Sequence, residues 1–217
     1  MCLEPVCDRR SKFHERLIGI LPFFHAYGFS VVLTAGVYLG AHVLTLPKFG
    51  PQTFVSAIKR HRPTMMHVVT PLISFLTQSP AVESSELSDT HTIFSTAAPA
   101  GPALITKLLE KAEKFVLFQE GFGTTEATSV THVLDASRRR RNTKIGSVGT
   151  VIPSTESKVV DVRTRQTLGP HERGKILIRG SSIMRGYFQN ISRVASSPVV
   201  GAMMSHGFKE AETGLNF

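Results

Sequence analysis

The chain has 217 residues, 41% hydrophobic and 19% charged, with 25 Lys and Arg against 16 Asp and Glu for a net charge of +9. That length and apolar content permit a real core in one domain, or in one large domain with an appendage, and the chain reads as globular and soluble. A transmembrane helix is excluded because Gly28, Ser30, Thr34 and Gly36 interrupt the most apolar stretch, and a secretory signal because Glu4, Asp8, Arg9 and Arg10 occupy its place.

Cys2 and Cys7 are the only cysteines, and their spacing lacks the paired Cys or His partners of a zinc site. The densest positive block, Arg138 to Arg141, has no interleaved aromatics for base stacking, and four successive arginines cannot all face one partner. It reads as a solvated loop.

In chain order, Leu17 to Leu21 is expected to form a buried strand ended by Pro22, Phe24 to Leu39 a helix, and Ala41 to Leu46 a second strand closed by Pro47. Pro51 suits the first turn of a helix carrying Phe54, Val55 and Ile58 up to Arg60. Thr64 to Val69 follows as a strand, and Pro71 opens a short helix with Leu72, Phe75 and Leu76 on one face. A polar loop from Gln78 to Asp89 precedes a short strand at Thr92 to Phe94. Gly101-Pro102 then starts a helix with Leu104, Ile105, Leu108 and Leu109, and Val116 to Phe118 is the next strand. This rhythm predicts an α/β fold, part of a doubly wound, mainly parallel sheet with helices, whose ligands sit at the carboxyl ends of the strands. Beyond Ala127 the alternation at Lys158 to Val162 and Lys175 to Arg179, separated by Gly169, Pro170 and Gly174, predicts a small β-rich subdomain of hairpins.

Three segments at predicted strand ends carry residues suited to chemistry. In Gly121-Phe122-Gly123-Thr124-Thr125-Glu126, two glycines let the backbone turn tightly against a flat ligand, the ring offers a stacking face, and a hydroxyl with a carboxylate suits a phosphate and its metal. Taken alone, the glycines are more often those of an ordinary turn. In Ser95-Thr96-Ala97-Ala98-Pro99-Ala100-Gly101, small residues admit a planar ring and the following helix offers N–H groups to an anion, though a plain strand-to-helix turn has the same composition. In Leu21 to Gly28, His25 beside aromatics is either a packed or capping residue or a group facing a ligand.

In this order, with His61-Arg62-Pro63-Thr64 and Val69-Thr70-Pro71 between them, these segments resemble the adenylate-forming superfamily of AMP-forming acyl-CoA synthetases, 4-coumarate–CoA ligases and luciferases. Gly146-Ser147-Val148-Gly149, Lys158-Val159-Val160-Asp161, Arg173 to Gly180 and Met184-Arg185-Gly186-Tyr187 continue the likeness, which runs from Leu17 to Asn190.

The resemblance implies an acid–thiol ligase that joins a fatty or aromatic carboxylic acid to the α-phosphate of ATP with Mg²⁺, and then passes the acyl group to coenzyme A. It implies that Ala97, Ala98 and Pro99 pack on the adenine, with Gly121 and Gly123 beside it and Phe122 where the family usually has Tyr. Thr125 is implied to hydrogen-bond the α-phosphate, Glu126 to hold Mg²⁺, and His25 to sit beside the acyl carboxylate, these last three forming the catalytic set. The acyl pocket is implied to comprise His25, Tyr27, Thr96, Gly121, Gly123 and Ser129. Thr96 stands where relatives usually have Gly, so a narrower pocket is expected.

The family's Gly/Ser/Thr-rich phosphate loop has no counterpart in Met1 to Arg16. Past Asn190, His206-Gly207-Phe208-Lys209 and Thr213-Gly214-Leu215 echo the family's next segment without its ribose-binding Asp. The expected organisation is a divergent stretch at 1–16, the α/β part of the AMP-binding domain at 17–135, its β-rich subdomain at 136–190 and a divergent tail at 191–217, with the C-terminal lid absent. Such a fragment is expected to be inactive as a ligase by itself. The implied location is intracellular, cytoplasmic or peroxisomal, with no targeting signal visible in Leu215-Asn216-Phe217. The acid and the oligomeric state stay open. A non-catalytic protein that keeps the adenylate or acyl pocket is a second reading, and a basic protein binding nucleic acid through Arg138 to Arg141 a third.

Overall fold

Every residue of Met65–Val68 and of Thr92–Ser95 is buried, the pattern of parallel strands covered on both faces. These two strands are the centre of the molecule. The computed structural model describes residues 15–114, 116–134 and 145–188 and the backbone of 209–211. Cys2, Cys7, the Arg138 to Arg141 block and the segments at 189–208 and 212–217 lie outside the described residues.

The strands are β1 (Arg16–Gly19), β2 (His42–Thr45), β3 (Met65–Val68), β4 (Thr92–Ser95), β5 (Leu117–Thr124), β6 (Ser129–Val133) and β7 (Thr150–Val151). They form one sheet in the order β2-β1-β3-β4-β5-β6-β7. The five from β2 to β5 run parallel, whereas β6 and β7 are antiparallel. A second, antiparallel sheet joins β8 (Thr155–Val160), β9 (Lys175–Gly180) and β10 (Lys209–Ala211).

Helix α1 comprises a π-helical run, Tyr27–Thr34, continued by the α-helical Ala35–Tyr38. Helices α2 (Pro51–His61), α3 (Thr70–Gln78) and α4 (Pro102–Lys111) each carry proline in the first turn, where no backbone hydrogen bond is lost. Ile18, Met66, Val68, Ile93 and Phe118 share the main core with Phe54 and Ile58 of α2, Ile73 and Leu76 of α3, and Ile105 and Leu108 of α4. Leu17, Met65 and Leu117 form a smaller cluster with Ala41 and Val43. There α1 approaches so closely that a Cβ on Gly36 would lie 2.8 Å from Val43 and 3.0 Å from Leu17. The alternation of strand side chains between these clusters places helices on both faces, as the sequence predicts.

Four features depart from the sequence expectation. Helix α1 begins at Tyr27 rather than Phe24, because the His25 N–H bonds back to the Pro22 carbonyl at 3.0 Å and closes a turn first. The polar loop contains a 3₁₀ turn, Ser84–Leu87, capped by Glu83 and Glu86, and it drives Leu87 fully into the core. The strand expected to end at Phe118 continues to Thr124. Thr150–Val151 joins the first sheet by pairing with β6.

Ile58 is fully buried between helix and sheet. Ile58→Ala is expected to lower the unfolding free energy by about 2–5 kcal/mol in a urea titration. A loss below about 1 kcal/mol would show that this core does not hold α2 in place.

Candidate functional site

The parallel pairing of β4 and β5 ends with Ser95 opposite Glu120, so the loop after β4 and the second half of β5 are brought together at one sheet end. Thr96 is buried and its hydroxyl donates to the Gly121 carbonyl at 2.7 Å. Ala97 then adopts φ +85°, a left-handed conformation rare for a residue with a Cβ. Strain of this kind persists only where neighbours hold it. Here the buried Glu120 carboxylate supplies the hold, accepting from the Ala100 N–H at 3.3 Å and, on its other oxygen, from the Gly146 N–H at 2.9 Å. Glu120 was not singled out from the sequence. Its signal was a carboxylate next to Gly121 that directly follows the apolar Val116 to Phe118 and Gln119.

Gly121-Phe122-Gly123 is not the tight turn that its composition suggests. It is strand, paired antiparallel with β6 and bulged between Phe122 and Gly123. Its glycines answer to close approach rather than to turning: a Cβ on Gly123 would lie 1.5 Å from the Ser129 carbonyl oxygen, and one on Gly121 2.6 Å from the Phe94 ring. The chain reverses later, through Thr125–Ala127 and two successive left-handed residues, Thr128 (φ 55°) and Ser129 (φ 87°). Phe122 leans on His132, ring centroids 5.8 Å apart. His132 is fixed in turn by the hydroxyls of Thr131 at 3.0 Å and of Ser157, in β8, at 3.1 Å.

The third contribution is the start of α1. His25 is exposed and its Nδ1 accepts the Tyr27 N–H at 3.1 Å, so the ring caps the helix. In the neutral ring that bond leaves the proton on Nε2. Tyr27 is buried behind it, its hydroxyl donating to the Phe94 carbonyl at 3.0 Å. Burial pushes the Tyr27 phenol well above its ordinary range.

These pieces enclose a cleft of about 430 Å³. Of the residues predicted from sequence, it gathers His25, Tyr27, Thr96, Ala97, Phe122, Gly123, Thr125, Glu126 and Ser129, and it adds Ala26 and Thr124. Ala98, Pro99 and Gly121 are not on its lining. Ala98 and Pro99 are exposed on the loop beside Ala97, their carbonyls accepting from the Thr70 hydroxyl at 3.1 and 3.5 Å. Gly121 is buried behind the wall, against Phe94. Small side chains signalled the loop but not which of them face inward.

Glu126 is the carboxylate on the cleft. Tyr187 donates a hydrogen bond to it, which holds the phenol pKa above its ordinary value. The Met184 N–H reaches the Glu126 carbonyl at 2.8 Å, and the Thr128 hydroxyl the Ser182 carbonyl at 2.6 Å. The segment after β9 is thereby clasped to the β5–β6 turn. Among the described residues no group of three or more His, Cys, Asp or Glu side chains could hold a metal by itself. No helix of the described residues is long and apolar enough to cross a membrane.

The sequence model of the family described as "AMP-binding enzyme" matches residues 2–188. The chain is 33% identical over 179 residues to a probable 4-coumarate–CoA ligase 3 of Dictyostelium discoideum. It is 37% identical over 180 residues to 4-coumarate–CoA ligase 3 of Arabidopsis thaliana. Each match covers 82% of this chain and 32% of the relative, so the chain spans about a third of the length of the curated relatives it matches. The fold is also that of apo MatB from Rhodopseudomonas palustris, with a TM-score of 0.75 and 22% identity over 90% of this chain and 36% of the other.

His67, behind Tyr27, and His132, behind Phe122, are both held neutral by burial, with pKa lowered from 6.5 to about 4. The folded chain therefore takes up their protons less readily than the unfolded chain. Their contribution is complete above pH 6.5 and is lost as the pH falls towards 4. The urea midpoint is expected to drop between these values, and to drop less steeply in His132→Gln. A midpoint independent of pH across that window would contradict the burial of both rings.

Proposed function

The chain belongs to the AMP-binding enzyme family, and from that premise we propose that it forms part of an AMP-forming acid–CoA ligase whose cleft holds the adenylate of a fatty or aromatic acid. The reading is carried by one observation, the convergence of Phe122, Ala97 and His25 on a single cleft from three separate stretches of chain. The names of the curated relatives, 4-coumarate–CoA ligases, support it.

A carboxylate is a poor electrophile until one of its oxygens becomes part of a phosphate leaving group. Two anions must approach for that to happen, so catalysis consists mainly of positioning and charge neutralisation. Phe122 presents a ring face to the adenine and keeps stacking without a hydroxyl. Ala97 lies at the same edge, and Ala98 and Pro99 on the adjoining loop offer small side chains that let a planar base approach. Thr125 donates to the α-phosphate.

His25 has its Nδ1 engaged by the helix, so its Nε2–H is the donor left to orient the acyl carboxylate and to screen the route of the thiol. Glu126 suits Mg²⁺, an ion that keeps several waters and takes one or two carboxylates together with substrate phosphates. When bound, the ion neutralises phosphate charge. Tyr187 holds the Glu126 carboxylate at the cleft, where it would take the ion. Tyr27, Thr96, Gly123 and Ser129 form the acyl side, with Thr96 narrowing it and Gly121 buried behind it. Acid, ATP and coenzyme A are the partners this assigns, in the cytoplasm or the peroxisome.

Calorimetric titration of the 217-residue chain with AMP tests the reading. Wild type is expected to bind, and Phe122→Ala to bind about 5- to 100-fold more weakly, the value of a base–aromatic stack. Lack of AMP binding by wild type would remove the proposal. With ATP and an acid, this polypeptide, spanning a third of its relatives' length, is expected to bind without releasing pyrophosphate. Pyrophosphate release dependent on both ligands would show instead that it is catalytically complete.

A further inference from the structure

We propose that His132, in the tautomer that carries its proton on Nδ1, is a positioning residue for the nucleotide base, acting through the Phe122 ring. The inference rests on the assignment of the cleft to an adenylate and deepens it, since Phe122 lines the cleft and His132 stands behind it, off the lining.

The register of β5 against β6 puts Phe122 directly opposite His132 and Gly123 opposite Val130, which leaves Thr131 as the extra residue of the bulge. Directly opposed residues of an antiparallel pair share a face of the sheet. There the Phe122 and His132 rings meet, centroids 5.8 Å apart and planes inclined at 53°. Where the ladder shifts register, a side chain adds a bond: the Thr131 hydroxyl donates to the Phe122 carbonyl at 3.2 Å.

That bond decides where His132 carries its proton. A hydroxyl has one proton to donate, so towards the His132 Nδ1, 3.0 Å away, Thr131 Oγ1 is the acceptor and Nδ1–H the donor. Burial holds the ring neutral, with its pKa lowered to about 4. Nε2 therefore keeps its lone pair and accepts from the Ser157 hydroxyl at 3.1 Å. The donors run one way, from Ser157 in β8 through His132 and Thr131 to the backbone of Phe122. His132 is 6% exposed with both nitrogens engaged, so its ring turns away from Phe122 only by breaking these bonds.

The second sheet adds to the hold. Ser157 stands opposite Ile178, on the face from which Ile176 and Ile178 cluster with Phe122, Val159 and Ile183. Phe122 thus meets both an imidazole pinned from β8 and an apolar cluster built on β8 and β9. Its ring is placed before a base arrives, and a ring already placed loses less freedom on binding.

A double-mutant cycle read by calorimetric titration of the 217-residue chain with AMP tests this. His132→Ala is expected to weaken AMP binding about 3- to 10-fold, the value of an aromatic pair, and to have no further effect in a chain that already carries Phe122→Ala. Equal weakening in both backgrounds, or none in the first, would overturn the proposal. A role in stability alone would lower the urea midpoint without coupling the two residues in AMP affinity. Ser157→Ala keeps the imidazole and removes one bond, so the test survives if His132→Ala fails to fold. It is expected to weaken AMP binding about two- to fivefold, again only where Phe122 is present, and unchanged affinity would overturn the proposal as well. Long-range proton–nitrogen correlation spectra at neutral pH are expected to show His132 protonated at Nδ1 and bare at Nε2, and the reverse tautomer would contradict the chain of donors. Failure of the wild type to bind AMP would instead sink the assignment of the cleft, and this inference with it.

Discussion

Strand β5 changes partners along its length, and the site depends on that change. Its first half pairs parallel with β4, and its second half pairs antiparallel with β6. The switch is possible because Gly123 lets its backbone lie against the Ser129 carbonyl, with no room for a Cβ. Without the parallel half, the Thr96–Ala97 loop would not be level with Gly121. Without the antiparallel half, Phe122 would have no His132 to lean on and Thr125 and Glu126 would not be returned to the cleft. The halves meet between Glu120 and Gly121, and the bulge between Phe122 and Gly123 lies just beyond, a common device for re-aiming a side chain beside a functional site.

Around that strand the polar groups are fitted in layers. Buried Glu120 ties the small-residue loop to the Gly146 turn. His132 links the first sheet to Ser157 of the second. Tyr187 and Met184 secure Glu126. Each bond satisfies a group that would be costly to leave unpaired. The same economy explains why the hydroxyls of Tyr27 and Thr96 face carbonyls: the wall lies over the buried core of β4.

Much of the fold was legible because its signals are local. Proline opened α2, α3 and α4 where the sequence places it, and the apolar run at Thr64 to Val69 marked a strand of a two-sided sheet. The rhythm of strands and helices foretold the α/β class, and the likeness of its ordered segments to the adenylate-forming superfamily foretold the family. What was not legible depends on distant partners. Gly121 and Gly123 have the composition of a turn, and only β6, whose own sequence, Ser129 to Val133, is unremarkable, makes them strand. Leu87 lay in a polar stretch, and its burial follows from a 3₁₀ turn capped by two glutamates. Glu120 looked like one more charge, since its role appears only when Ala100 and Gly146 are brought to it. Among the small residues after β4, Ala97 faces the cleft and Ala98 does not because of one backbone torsion, which composition does not encode.

The proposed function puts a nucleotide base against Phe122, in the cleft beside the end of β4 and the second half of β5. Nuclear Overhauser effects between the adenine protons of bound AMP and assigned ring protons of Phe122 measure this directly. The proposal predicts strong contacts to that ring, together with contacts to the Ala97 methyl group. AMP that binds while its adenine protons contact neither residue would contradict it.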